Sequence, residues 1–185
     1  KLKKKSFFVL RGKKIVLNKE FVLFANNSPE LYSYRLINTY PHDKTSYTQG
    51  LEFSGDTLYE STGLKGQSKV RSVNYKNGNI INEKKLNKNY FGEGLSILNN
   101  SIYQLTWQEN IGFIYDKKLS KVKGSFSYDK STAGWGLCND GKKFYKSDGT
   151  NKIWILEPNK LTETSYIEVM TNNKTIVKVF IYCIL

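Results

Sequence analysis

The chain has little of what helical folds and most metal or relay active sites are built from. Alanine occurs at only two of 185 positions, Ala25 and Ala133. Alanine is the strongest helix former, so its scarcity argues against a helical protein. Histidine occurs once, at His42, which excludes histidine-rich metal sites and any Ser-His or Cys-His relay not built on that residue. The two cysteines, Cys138 and Cys183, have no metal-like spacing and suggest neither a disulfide framework nor a zinc site. No apolar run reaches the length of a bilayer span. Near the end, "VFIYCIL" is seven residues long, so no membrane span is expected. No RNA-binding or helix-turn-helix motif is present. The chain opens on Lys rather than Met, and the sequence is silent on export.

What is present is aromatic, polar and basic. Thirteen Tyr, ten Phe and three Trp, with many Asn, Ser, Thr and Gly, favour strands and turns. The length fits one ordinary domain, or one domain plus a fragment. Net charge is +13, and residues 1–20 alone hold eight Lys/Arg against one Glu. Such a run can touch nucleic acid or an anionic membrane, but a solvated surface accounts for it as well. The aromatic residues fall at repeat positions rather than in a basic stripe, so no nucleic-acid partner is expected.

Self-similarity is the most informative feature. "QGLEFSGDTLYEST" from Gln49, "EGLSILNNSIYQLTW" from Glu93 and "WGLCNDGKKFYKSDG" from Trp135 share one frame. Each begins X-Gly-Leu, turns at Gly, Asn or Asp, and places a Tyr nine residues after the Gly; the Gly-to-Gly steps are 44 and 42 residues. Each reads as a hairpin followed by two more short strands: "KVRSVNY" and "NIINEKKL", "IGFIYD" and "KVKGSFSY", "NKIWILEP" and "TSYIEV". Four short strands per period of about 40–45 residues is the pattern of a propeller blade. The fold class is therefore all-β, a β-propeller with about three blades present, over residues 31–169. "YSYRLINTY" before the first unit reads as a further strand. Residues 1–30 read as a hairpin about Gly12-Lys13-Lys14, or the remnant of a preceding small β domain, plus a linker. Residues 170–185 read as an atypical tail.

Equivalent positions of successive blades lie on one ring around the axis. The residue before Gly-Leu is Gln49, Glu93 and Trp135 in turn, so these three side chains are expected to converge. A packing position repeated by symmetry should keep one residue type; this one varies, as a binding position would. Glu93 alone of the three titrates, which makes it the candidate acid/base. Aromatic neighbours such as Phe91, Trp107 and Trp135 would raise its pKa by desolvation. Trp107 stands where the other units have Gly63 and Gly149, and reads as a core plug or an aromatic clamp. The acids of "NDGK" and "SDGT" read as turn formers. His42 reads as a turn-bonded histidine.

In this order, "YPHDKTSYTQGLEF", "LYESTGLKGQSKVR", "YFGEGL", "IYQLTW", "GFIYD" and "GWGL.NDGKKFYKSDG" resemble the glutamine cyclotransferases of the plant and bacterial type, over about Tyr34 to Pro158. The start also looks like forms that carry a small Ig-like domain before the propeller. The resemblance implies a five-bladed propeller and an acyltransferase activity: cyclisation of an N-terminal glutamine to pyroglutamate with release of ammonia. It implies no metal or other cofactor, and a secreted or periplasmic location. Peptides or proteins with N-terminal glutamine are the implied partners, and a monomer is expected. By motif, Glu93 is the implied catalytic acid/base, and Gln49, Phe91, Trp107 and Trp135 are implied to bind substrate. Tyr47 stands where the family usually has Phe. Family members continue through an Asn-Glu-Leu-Glu segment into two more blades, where this chain reads "NKTIVKVFIYCIL". That departure leads to the expectation of a truncated propeller with impaired activity. A non-catalytic propeller that binds peptide or glycan at an aromatic channel mouth is the alternative.

Overall fold

The structure, a computed structural model, describes residues 4–22, 24–172, 178, 179 and 181. Among these, all regular structure is strand. The chain opens with a hairpin of β1 (Lys4–Arg11) and β2 (Lys14–Val22), which pair antiparallel about Gly12. Residues 24–47 then run without regular structure.

Three four-stranded antiparallel sheets follow, each a meander in chain order. The first is β3 (Thr48–Ser54), β4 (Thr57–Thr62), β5 (Lys69–Asn74) and β6 (Asn79–Lys85). The second is β7 (Gly92–Leu98), β8 (Ser101–Thr106), β9 (Ile111–Asp116) and β10 (Val122–Ser127). The third is β11 (Leu137–Asn139), β12 (Phe144–Ser147), β13 (Lys152–Leu156) and β14 (Glu163–Glu168). These are the twelve strands the repeat predicts. Short turns set their register: Asn99 and Asn100 both adopt positive φ, 48° and 59°, the geometry of a two-residue hairpin turn that matches strand twist.

The first strands pack side by side, β3 against β7 and β7 against β11. The repeat glycines are the points of contact. A Cβ on Gly50 would lie 2.6 Å from the Leu95 nitrogen, and one on Gly94 would lie 2.5 Å from the Trp135 carbonyl oxygen and 2.6 Å from the Leu137 nitrogen. Only glycine allows that approach of backbone to backbone. The X-Gly-Leu frame is therefore the seam where successive sheets meet at the axis.

The apolar core lies between sheets, as a propeller requires. Tyr59 and Val70 of the first sheet pack with Leu95, Ile102 and Tyr115 of the second. Leu98, Leu105 and Phe126 of the second pack with Leu137, Phe144 and Trp154 of the third. Each second strand also buries one polar side chain ten residues after the repeat glycine: Glu60, Gln104 and Lys146, all at 1% exposure or less. Glu60 bonds Arg71 Nε at 2.7 Å and accepts from Thr48 Oγ1 at 2.5 Å. Arg71 also reaches Asp43 at 3.1 Å.

Two expectations fail here. "YSYRLINTY" pairs with no sheet among the described residues; Tyr32 and Tyr34 are 87% and 94% exposed, and an extended segment becomes a strand only where a ladder partner exists. His42 is not held by its own turn. Its Nε2 lies 2.9 Å from Glu60 Oε1 on β4, so it serves the buried Glu60–Arg71–Asp43 network that ties residues 42–46 to the first sheet. The expected tail, 170–185, lies mostly outside the described residues.

Candidate active site

Glu93 and Gln49 both stand at breaks in strand register. In the β3–β4 ladder, Thr48 faces Thr62 and Gly50 faces Ser61, which leaves Gln49 unpaired between them. In the β7–β8 ladder the pairing jumps from Gly92–Thr106 to Leu95–Gln104, so Glu93 and Gly94 share one partner position. Such bulges bend a strand and re-aim its side chains. Here the two re-aimed side chains meet: the Gln49 side chain hydrogen-bonds the Glu93 carboxyl.

The backbone beneath Glu93 is pinned from several sides. Ser61 Oγ donates to the Glu93 carbonyl. Gln104 Nε2 donates to Ser61 Oγ at 2.7 Å, and Gln104 Oε1 accepts from Tyr115 at 3.0 Å. The Gly94 N–H donates to the Trp135 carbonyl at 2.7 Å. The buried Gln104 of the second sheet thus supports, through Ser61 of the first, the residue that carries the acid.

Glu93 is 7% exposed. Burial pushes its carboxyl up from 4.5 to about 8; the Gln49 hydrogen bond pulls the other way, and the charge of Glu109 adds to the rise. The group is thus half-ionised at mildly alkaline pH, within the range where a carboxylate both takes and returns a proton.

An aromatic row borders this position. Tyr47 meets Phe91 edge to face at 6.1 Å, and Phe91 meets Trp107 at 5.7 Å. Tyr47 is 53% exposed and Trp107 36%. The Phe91 ring lies directly on Gly63, with Tyr47 beside it, and the Trp135 ring lies on Gly149. Those two glycines occupy the repeat position that Trp107 fills in the second unit. They leave room for rings, and Trp107 supplies one, packed against Phe91 and 36% exposed, so it is not buried as a core plug would be. Of the expected residues, Gln49 and Glu93 touch through side chains, Tyr47, Phe91 and Trp107 form one row, and Trp135 meets the site through its carbonyl on Gly94.

Sequence reasoning missed Glu109, Ser61 and Gln104. A signal existed for the last: the buried polar residue always falls ten places after the repeat glycine. Among the described residues no group of three or more His, Cys, Asp or Glu is placed to hold a metal. A cavity of about 390 Å³ on the outer face of the first sheet, against Leu51, Phe53, Val73 and Tyr75, is separate from Glu93, and of its charged groups Glu60 and Asp43 are both committed to Arg71.

The family model described as glutamine cyclotransferase matches residues 11–180. A glutaminyl-peptide cyclotransferase of Arabidopsis thaliana is 39% identical over 151 residues, 80% of this chain and 47% of that protein. The chain therefore spans about half the length of that relative. The crystal structure of Myxococcus xanthus glutaminyl cyclase superposes with a TM-score of 0.68 at 28% identity, over 77% of this chain and 60% of that one. The WD40 repeats of RRP9 superpose with a TM-score of 0.51 at 8% identity, over 72% of this chain and 41% of that one, a likeness of propeller fold alone.

Proposed function

This chain belongs to the glutamine cyclotransferase family, and on that premise we propose that it closes an N-terminal glutamine onto its own side chain, giving pyroglutamate and ammonia. The observation that carries the reading is a buried carboxyl, Glu93, whose side-chain partner is a neutral amide and whose pKa lies near 8. A free α-amine has a pKa of about 7.7–8.0, so donor and acceptor are closely matched.

The reaction needs little beyond positioning and one proton transfer. The α-nitrogen attacks the γ-carboxamide carbon within the same residue, so proximity is largely built into the substrate. The new C–N bond closes the ring, and the amine gives up one proton to Glu93. Glu93 returns it to the departing nitrogen as the old C–N bond breaks, and ammonia leaves. Gln49 holds the Glu93 carboxyl in place and orients the substrate amide beside it. Phe91, Trp107 and Tyr47 cover the glutamine methylenes and exclude water. Peptides or proteins beginning with glutamine are the substrates, and the chain acts as a monomer. The N-terminal hairpin is a unit apart from the propeller, whose strands run from Thr48 to Glu168.

Incubation with a Gln-initiated dipeptide and with its N-acetylated form tests the reading. Ammonia should appear from the first and not from the second, which has no free amine. Absence of ammonia from both would overturn catalysis by this chain, and binding of the free dipeptide without release would mark a peptide-binding propeller instead.

A further inference from the structure

Glu109 lies in the turn between β8 and β9, outside the residues that the repeat singles out. Its Oε2 faces the Phe91 N–H at 3.5 Å, two residues before Glu93. Its Oε1 lies 2.8 Å from Lys65 Nζ, in the loop after β4. The two ends of that pair differ in burial: the Glu109 side chain is 14% exposed and that of Lys65 58%. Glu109 Oε1 is buried and makes no aligned hydrogen bond among the described residues, and Lys65 balances its charge at 2.8 Å. The pair joins a loop of the first sheet to a loop of the second, beside the backbone that leads into Glu93.

We propose that Glu109 is a positioning residue for Glu93: it holds the Phe91 backbone and keeps a second negative charge beside the reacting carboxyl, with Lys65 as its partial counterion. The proposal rests on the reading of Glu93 as the acid/base and explains how its proton affinity is set. Burial raises that affinity most, the Gln49 hydrogen bond from β3 lowers it, and the Glu109 charge raises it. From beyond β10, Tyr128 also feels Glu93 and Glu109, but its hydroxyl is committed to the Thr106 and Ile111 carbonyls at 2.9 Å each. Glu109 is thus the group that adds charge, and Lys65 is the surface cation that moderates it. A loop ion pair at the rim then sets the working pH of a buried carboxyl whose own contacts stay unchanged.

The test is a titration of the Glu93 carboxyl carbon by NMR in protein labelled at glutamate side-chain carbons, with the signal assigned by its loss in Glu93→Gln. Glu109→Gln keeps the shape and the acceptor for the Phe91 N–H but removes the charge. It should lower the Glu93 midpoint by on the order of half a pH unit. Lys65→Met should raise it, by less, because an exposed cation is screened. Shifts in these opposite directions support the proposal. An unchanged midpoint, or both variants moving it the same way, overturns it, because a purely structural pair would not separate the signs. Should Glu109→Gln fail to fold, Lys65→Met decides alone through the sign of its shift. The titration needs no turnover, so failure of the cyclisation reading would show separately as normal titration without ammonia release. In an active protein, the acidic limb of the rate profile should move with the NMR midpoint in each variant.

Discussion

Two buried carboxylates, Glu93 and Glu163, sit one sheet apart, and their proton affinities are shifted in opposite directions. Burial acts on both in the same direction, against the charged form. At Glu163 it is outweighed. Lys146 Nζ lies 2.8 Å away with both side chains fully buried, the N–H groups of Lys130 and Ser131 donate at 2.7 and 2.8 Å, and the Ser131 hydroxyl donates as well. Glu163 therefore stays below the usual carboxylate range. Among the described residues, Glu93 has an amide beside it and a second carboxylate nearby, and it rises to about 8. The choice of partner, more than depth, separates an acid held charged from one that keeps its proton to higher pH.

The largest effect that should follow from this contrast is on stability. Lys146 is buried, with its ammonium over the Tyr128 ring at 4.0 Å, so Lys146→Met strands Glu163 without a counter-charge. Urea unfolding should show a loss of roughly 3–5 kcal/mol. A loss well under ~1 kcal/mol would mean that the pair behaves as a solvated surface bridge and that the contrast with Glu93 is wrong.

A smaller effect, with its sign fixed, is the pH dependence of folding. Glu93 holds its proton more tightly when folded than when unfolded. Its contribution to stability is complete below its ordinary value of 4.5 and is lost as pH rises towards about 8, with a slope of at most about 1.4 kcal/mol per pH unit. Glu163 has the reverse sign: its contribution is present above the ordinary value and is lost as pH falls. Unfolding free energies from about pH 5 to about pH 8 should therefore decline more steeply in the native protein than in Glu93→Gln. Parallel curves would remove Glu93 from the set of groups whose proton affinity changes on folding.

The propeller was legible in the chain because its seam is written in glycine. Gly50, Gly94 and Gly136 recur because backbones meet there, and the strands between them follow from turns at Gly55, Asn99–Asn100 and Gly141. Gln49 and Glu93 were legible as neighbours for the same reason. The network around them was not. Glu109 approaches Glu93 through a loop, and no period marks a loop residue. Ser61 supports Glu93 from a strand of another sheet, 32 residues away, a contact that only the inter-sheet approach creates. "YSYRLINTY" has a strand's composition, but pairing depends on a partner that composition does not supply. His42 looked local because Pro41 and Asp43 flank it, yet a buried acid on β4 holds it.

Turnover per folded molecule in two matched variants tests the role of Glu93 most directly. Ammonia release from a Gln-initiated dipeptide should fall by about 10²–10⁴ in Glu93→Gln, a protein that stays folded at neutral pH. It should remain within a few-fold of native for whatever fraction of Glu163→Gln is folded. Native-like release by Glu93→Gln would contradict the assignment of the proton transfer to this carboxyl.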